Sequence, residues 1–289
     1  ISGNTVLPVV ISNSQRGNVT FSGTFRVDSL NTGSGSYNLA LTGSTTAITN
    51  ALTFNNTGTL QLGQTASDTL TFSAGFTATA PSSISLAGAI TSNGNTTIGD
   101  SNTAITLLTN TTINTSGGTS GSRDLTLGGA VLLSGSYNQA LTLISGTGVL
   151  TTAQIGVGLP IGTGAITISA DEFNPTANIY GSSTLVVKPY TSGNSMVLGA
   201  ADSTNNNTDT VLDLTVTELG YLNPNGYLNS VFSGITFGSS TTGAISTASN
   251  LTFKSPITFD TNGTAAVYLG GNLTGTGSSA FAFSDKVVI

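Results

Sequence analysis

Short apolar alternations return along this chain at intervals close to 20 residues. Phe21, Leu41 and Leu62 lie 20 and 21 residues apart, and Leu86, Leu107 and Leu127 lie 21 and 20 apart. Each belongs to a stretch that alternates apolar and polar residues, such as Leu39–Leu41, Leu60–Leu62, Leu70–Phe72, Ile84–Leu86, Ile105–Leu107 and Leu125–Leu127. Alternation of period two marks half-buried strands. A repeat of about 20 residues built from short strands predicts a β-solenoid, because one coil cannot bury its apolar face alone and must share it with the next. Ser34-Gly35-Ser36-Tyr37-Asn38 recurs as Ser134-Gly135-Ser136-Tyr137-Asn138, an offset of 100 residues that predicts five coils. The expected fold is all-β, a parallel β-helix. At about 4.8 Å per coil, roughly 14 coils make a rod on the order of 70 Å long. Leu86, Leu107 and Leu127 are expected in one inward row.

A β-sandwich also places strands every 8–12 residues, but its outer faces carry more charge than this chain holds. Only 6% of the residues are charged, while Gly, Thr, Ser and Asn supply just over half of the chain. Stacked Thr, Ser and Asn rows satisfy one another as ladders and need no charge. One solenoid is expected over 1–289: regular coils over 1–170, less regular ones with loops over 171–230, and solenoid strands again over 231–289. Asp171-Glu172-Phe173-Asn174-Pro175 reads as a loop, 201–210 as a polar low-complexity stretch, and Val216 to Tyr221 as a short helical turn. The chain opens on Ile1, and an export signal is expected upstream of it.

The composition excludes much chemistry. With no Cys and no His, disulfide frameworks, zinc sites and Ser–His–Asp machinery have no ligands or base. Six scattered basic residues and a net charge of −6 do not suit a phosphate backbone, so no nucleic-acid partner is expected. No stretch is apolar enough to span a membrane as a helix, and no membrane insertion is expected. The twelve acids are dispersed. Asp171 and Glu172 are the one adjacent pair and read as solvated surface, since neighbours on a strand point to opposite faces. No enzyme activity, metal or cofactor is expected.

The stretch Leu70 to Val131 resembles the repeat body of filamentous-haemagglutinin-like exoproteins of Gram-negative bacteria. It runs through strand, Ala74-Gly75, strand, then Ile84-Ser85-Leu86-Ala87-Gly88-Ala89-Ile90 and Ile105-Thr106-Leu107-Leu108. The segment from Ala165 onward and the run from Thr217-Glu218-Leu219 through Ile235-Thr236-Phe237-Gly238 to Gly243-Ala244-Ile245 are similar to a late module of such proteins. The resemblance covers about two thirds of the chain. It implies a right-handed parallel β-helix that is exported across the outer membrane and displayed at the cell surface in adhesion or filament building. Two features depart from the family. The stretch between Gly226-Tyr227 and Ile235 is longer than its pattern. Asn223-Pro224-Asn225-Gly226 resembles an Asn-Pro-Asn motif of secretion domains but sits far from the N-terminus, where a Pro/Asn/Gly turn is the ordinary reading.

Two sets of residues are candidates for contact with other molecules. The apolar termini, Val6, Leu7, Val9, Val10 and Ile11 at one end and Phe281, Phe283, Val287, Val288 and Ile289 at the other, would form a head-to-tail junction between subunits. The expected partner is therefore the chain itself. Tyr180, Tyr190, Tyr221 and Tyr227 lie in the less regular half and would stack on sugars if the protein binds or degrades cell-surface or matrix polysaccharide, the alternative reading.

Overall fold

The computed structural model describes residues 8–117, 123–133, 138–156, 164–201, 210–222, 232–277 and 279–289. It is a β-solenoid of about 11 turns, an all-β fold with one short helix, and among the described residues every paired strand is parallel to its neighbour. Each coil visits three faces in a fixed order. The first coil shows it: Pro8–Ile11 on the first face, Gly17–Phe21 on the second, Phe25–Val27 on the third, then Ser29–Thr32 stacked back on Pro8–Ile11. Inward residues of all coils join one continuous apolar core.

The second face shows why these residues form these strands. Its inward column runs Phe21, Leu41, Leu62, Leu86, Leu107, with the Leu133 backbone next. The outward row beside it runs Thr20, Ala40, Gln61, Ser85, Thr106, mostly small polar residues that favour extended backbone or hydrogen-bond along the stack. Leu127 does not belong to this column. It pairs with Ile98 on the first face, because the residues between Asn114 and Leu125 use up chain without reaching a new face and leave it one face behind the spacing. The 100-residue recurrence misleads for the same reason: Leu41 lies on the second face, whereas Leu141 pairs with Thr111 and Ile166 on the third. Residues 134–137 of that recurrence lie outside the described residues. Such excursions also explain the shorter rod. Coil spacing grows from 20 residues at Phe21–Leu41 to 30 at Ile113–Leu143 and 50 at Leu185–Ile235, so fewer than 14 coils use up the chain.

Asparagine carries the corners. Asn13 Oδ1 accepts the Ser34 N–H at 3.0 Å, Asn38 Oδ1 the Thr59 N–H at 3.0 Å, and Asn110 Oδ1 the Ala140 N–H at 2.9 Å. Asn250 Oδ1 accepts the Asn272 N–H at 2.8 Å, and Asp124 Oδ1 the Val149 N–H at 3.0 Å. Each bond ties a corner to the backbone of the next coil. Backbone donors that leave the ladder at a corner are thereby satisfied. A neutral amide does this without stacking like charges once per coil.

Asp68 closes a corner of its own. Burial alone would raise its carboxyl. The N–H groups of Thr65 and Gln64 and the Thr65 hydroxyl, at 2.8–2.9 Å, outweigh burial and hold it below the usual range. A carboxylate with a depressed folded-state pKa contributes stability that is present above its unfolded value, near pH 4, and is lost as pH falls through the folded value. Denaturant midpoints measured between pH 7 and pH 2 should therefore drop below about pH 4. Asp68→Asn should lower the midpoint at pH 7 and flatten that drop. An unchanged acid profile in the variant would remove this role from Asp68.

Two elements break the coil pattern. The strand Val211–Leu214 pairs with Ser195–Leu198 and packs against the strand Ile166–Pro175. Ser195–Leu198 pairs on its other side with Ile245–Thr247. Val211–Leu214 thus stands one rung behind the strand that precedes it in sequence. The twelve residues 199–210 between them match the crossover length that two adjacent parallel strands require. The chain then enters a helix, Val216–Leu222, where a short helical turn is expected. Thr215 caps it: its N–H and hydroxyl donate to Glu218 Oε2 at 2.8 and 3.0 Å, and the Glu218 N–H donates back to Thr215 Oγ1 at 3.2 Å. This is a capping box. The helix buries Leu219 and Leu222 and takes the place of a strand on the second face, where the Ile179 N–H donates to Tyr221 O at 2.9 Å.

Candidate functional site

Among the described residues the two ends of the core are apolar and half-exposed. At the N-terminal end Val9, Phe21, Phe25 and Val27 pack on the core yet stay half-exposed. The Phe21 and Phe25 rings lie 4.2 Å apart. With Gly23, Thr24 and Arg26 these residues line a cavity of about 320 Å³. Val10 points outward, 68% exposed, and Ile11 is buried. At the C-terminal end the Phe283 ring stacks on Phe259 at 5.2 Å and 9°, and Phe281 meets Phe253 edge-on at 6.3 Å. Phe281, Phe283, Val287 and Val288 are half-exposed, and Ile289 is fully exposed. Among the described residues each strand of the first and last coils pairs on one side only. Eight of the ten junction candidates therefore sit at the two ends. Val6 and Leu7 lie outside the described residues.

Asp285 Oδ2 accepts the Thr261 hydroxyl at 2.6 Å and the Gly263 N–H at 3.1 Å, so it serves the coil beneath. Strands paired on one side only have a free row of backbone N–H and C=O groups on the other.

The tyrosines are not gathered into one platform. Tyr180 is half-buried, and its hydroxyl accepts Asn178 Nδ2–H at 2.8 Å. Tyr221 lies next to it through the Ile179–Tyr221 backbone bond and lines an open groove of about 540 Å³ with Thr151, Asn174 and Glu218. Tyr190, 42% exposed, sits at another corner, where its N–H donates to Asp171. Tyr227 lies outside the described residues.

The acid pair corrects two expectations. Residues 171–175 are strand, not loop, and Asp171 and Glu172 are 4% and 1% exposed, not solvated. The strand Ile166–Pro175 bends between the third and first faces. At that bend both side chains turn beneath neighbouring coils, so alternation across a flat strand does not apply. Asp171 Oδ1 accepts the N–H groups of Tyr190 and Thr191 at 2.9 and 2.8 Å, and Oδ2 accepts the Thr191 hydroxyl. It is the charged counterpart of the asparagine corners. Asp213, one of the twelve dispersed acids, is likewise buried, in the strand Val211–Leu214. Among the described residues no three acids come together as a metal would need.

No family model, curated protein or solved structure matches the chain.

Proposed function

We propose that the chain is a secreted structural protein, the shaft of a surface adhesin or the subunit of an extracellular filament joined end to end. One observation carries this reading: among the described residues the first and last coils present half-exposed aromatic and branched residues on strands that pair on one side only. Isolated repeat proteins cover such ends with polar caps. A contact between two different surfaces of one molecule propagates into a polymer unless its rotation closes a ring. The low charge and asparagine-tied corners suit a shaft, and the resemblance to filamentous-haemagglutinin-like exoproteins points the same way. A glycan-binding or polysaccharide-degrading β-helix is the second reading. It draws on the groove beside Tyr221, where Asn174 Oδ1 is buried with no hydrogen-bond partner.

Electron microscopy and sedimentation of the purified chain test the first reading. Linear polymers should form as concentration rises, and Phe283→Asp combined with Val287→Asp should leave single rods with unchanged circular dichroism. Wild-type protein that stays monomeric at every concentration overturns it. A polysaccharide array read with Tyr221→Ala as the control tests the second.

A further inference from the structure

Three Asn–Gly pairs occur in the chain: Asn93-Gly94, Asn225-Gly226 and Asn262-Gly263. Asn225-Gly226 lies outside the described residues. In such a pair the glycine nitrogen can attack the asparagine side-chain amide, because no Cβ obstructs the cyclic imide that forms. The two described pairs differ in what surrounds the attacking and the attacked group.

Asn262 sits at the corner between Ile257–Asp260 on the third face and Ala266–Leu269 on the first. Its side-chain oxygen accepts three bonds: from the Thr264 N–H at 3.1 Å, the Thr264 hydroxyl at 2.9 Å and the Ala265 N–H at 2.9 Å. Donors that converge on one carbonyl oxygen at such distances stabilise negative charge developing there. The attacking group meets a base. The Gly263 N–H donates to Asp285 Oδ2 at 3.1 Å, and the Thr261 hydroxyl holds that carboxylate in place at 2.6 Å. Asn262 is half-exposed and Gly263 exposed, so water reaches both. Gly263 has φ at +78°, a conformation that glycine adopts without strain. Asn93 is half-exposed as well but lacks both devices. The Gly94 N–H points to the Ser92 hydroxyl at 3.4 Å, not to a carboxylate, and among the described residues no donor reaches Asn93 Oδ1.

We propose that Asn262 is a self-modification site, deamidated by the groups of its own corner with water as the only co-reactant. Asp285 takes the Gly263 amide proton while the Gly263 nitrogen bonds to Asn262 Cγ. The charge that develops on Oδ1 is held by the Thr264 and Ala265 donors. The Cγ–Nδ2 bond then breaks, the proton passes from Asp285 to the leaving nitrogen, and ammonia departs from a cyclic imide. Water opens either carbonyl of the imide and leaves aspartate or isoaspartate at position 262. Nothing is oxidised or reduced. The new carboxylate stands one coil below Asp285, so like charges face each other at the corner, and isoaspartate adds a methylene to the backbone of the turn. The corner therefore loosens with the age of the molecule, whatever the rod binds.

The test is incubation of the full chain in heavy-oxygen water at neutral pH, followed by peptic digestion and mass spectrometry. The Asn262 peptide should first lose the mass of ammonia and then gain that of one heavy water, as aspartate and isoaspartate. In the folded chain Asn262 should convert about tenfold or more faster than Asn93. In urea, where the corner is gone, the two pairs should convert at similar rates. Asp285→Asn should slow Asn262 about tenfold or more and leave Asn93 unchanged. Thr264→Val removes one donor at an exposed position, so its circular dichroism should match wild type while Asn262 again slows about tenfold or more. Asn262 that converts no faster than Asn93, or more slowly folded than in urea, shows that the bonds lock the side chain and overturns the proposal. So does an unchanged rate in either variant.

Discussion

Phe237→Ala is expected to destabilise the C-terminal half of the rod by about 3–5 kcal/mol. Phe237 is fully buried, its ring 6.0 Å from Phe253 and 6.2 Å from Phe259, and Phe259 passes the stack on to Phe283. The core is one side chain deep between three faces, so little lies behind the ring to collapse into the hole. Stability in a stacked array is a sum of coil and neighbour-interface contributions. The loss should therefore stay local. Hydrogen exchange should speed up in Gly234–Gly238 and Ile257–Asp260 and hold steady in Tyr37–Leu41 and Thr59–Leu62. A loss under about 1 kcal/mol, or loss of protection along the whole rod, would show that the aromatic stack does not carry this load.

The second large effect concerns a glycine. Gly238 ends a third-face strand with φ at +90°, and a Cβ there would lie 2.1 Å from the Asp260 carbonyl oxygen and 2.9 Å from Ile245 Cδ1. Gly238→Ala combines left-handed strain with a collision against backbone that cannot move without parting two coils. About 3 kcal/mol is expected. Gly193 separates the two causes: its φ is +87°, but nothing lies within 4 Å of its would-be Cβ. Gly193→Ala should cost only about 1 kcal/mol. Equal losses at the two sites, read by denaturant titration, would mean that the collision adds nothing.

Strands were legible wherever apolar alternation met β-branched residues, and the 20-residue spacing carried the solenoid. Phase was not. Leu127 keeps the spacing of Leu86 and Leu107 yet lies on another face, because period counting cannot register an excursion that adds part of a coil. Asp171 and Glu172 look like surface residues, since charge normally avoids a core. The strand Ile166–Pro175 bends there, and for Asp171 the donors of Tyr190 and Thr191 make burial tolerable. The Thr215–Glu218 capping box gives the helix a local sequence mark. The out-of-order strand Val211–Leu214 has none, since its alternation is the same whichever rung it fills. Of the ends, Phe281 and Phe283 were legible from alternation alone, whereas the part played by Phe21 and Phe25 needed the three-face geometry.

The extra strand Val211–Leu214 also has a mechanical consequence. It lengthens one side of the rod by about 4.8 Å, with no added strand on the third face to match it, and so leans the axis away from the first face. Under tension the rod should straighten by relaxing that lean before any pair of strands has to separate, which gives a stack of weakly charged β-coils some elastic compliance.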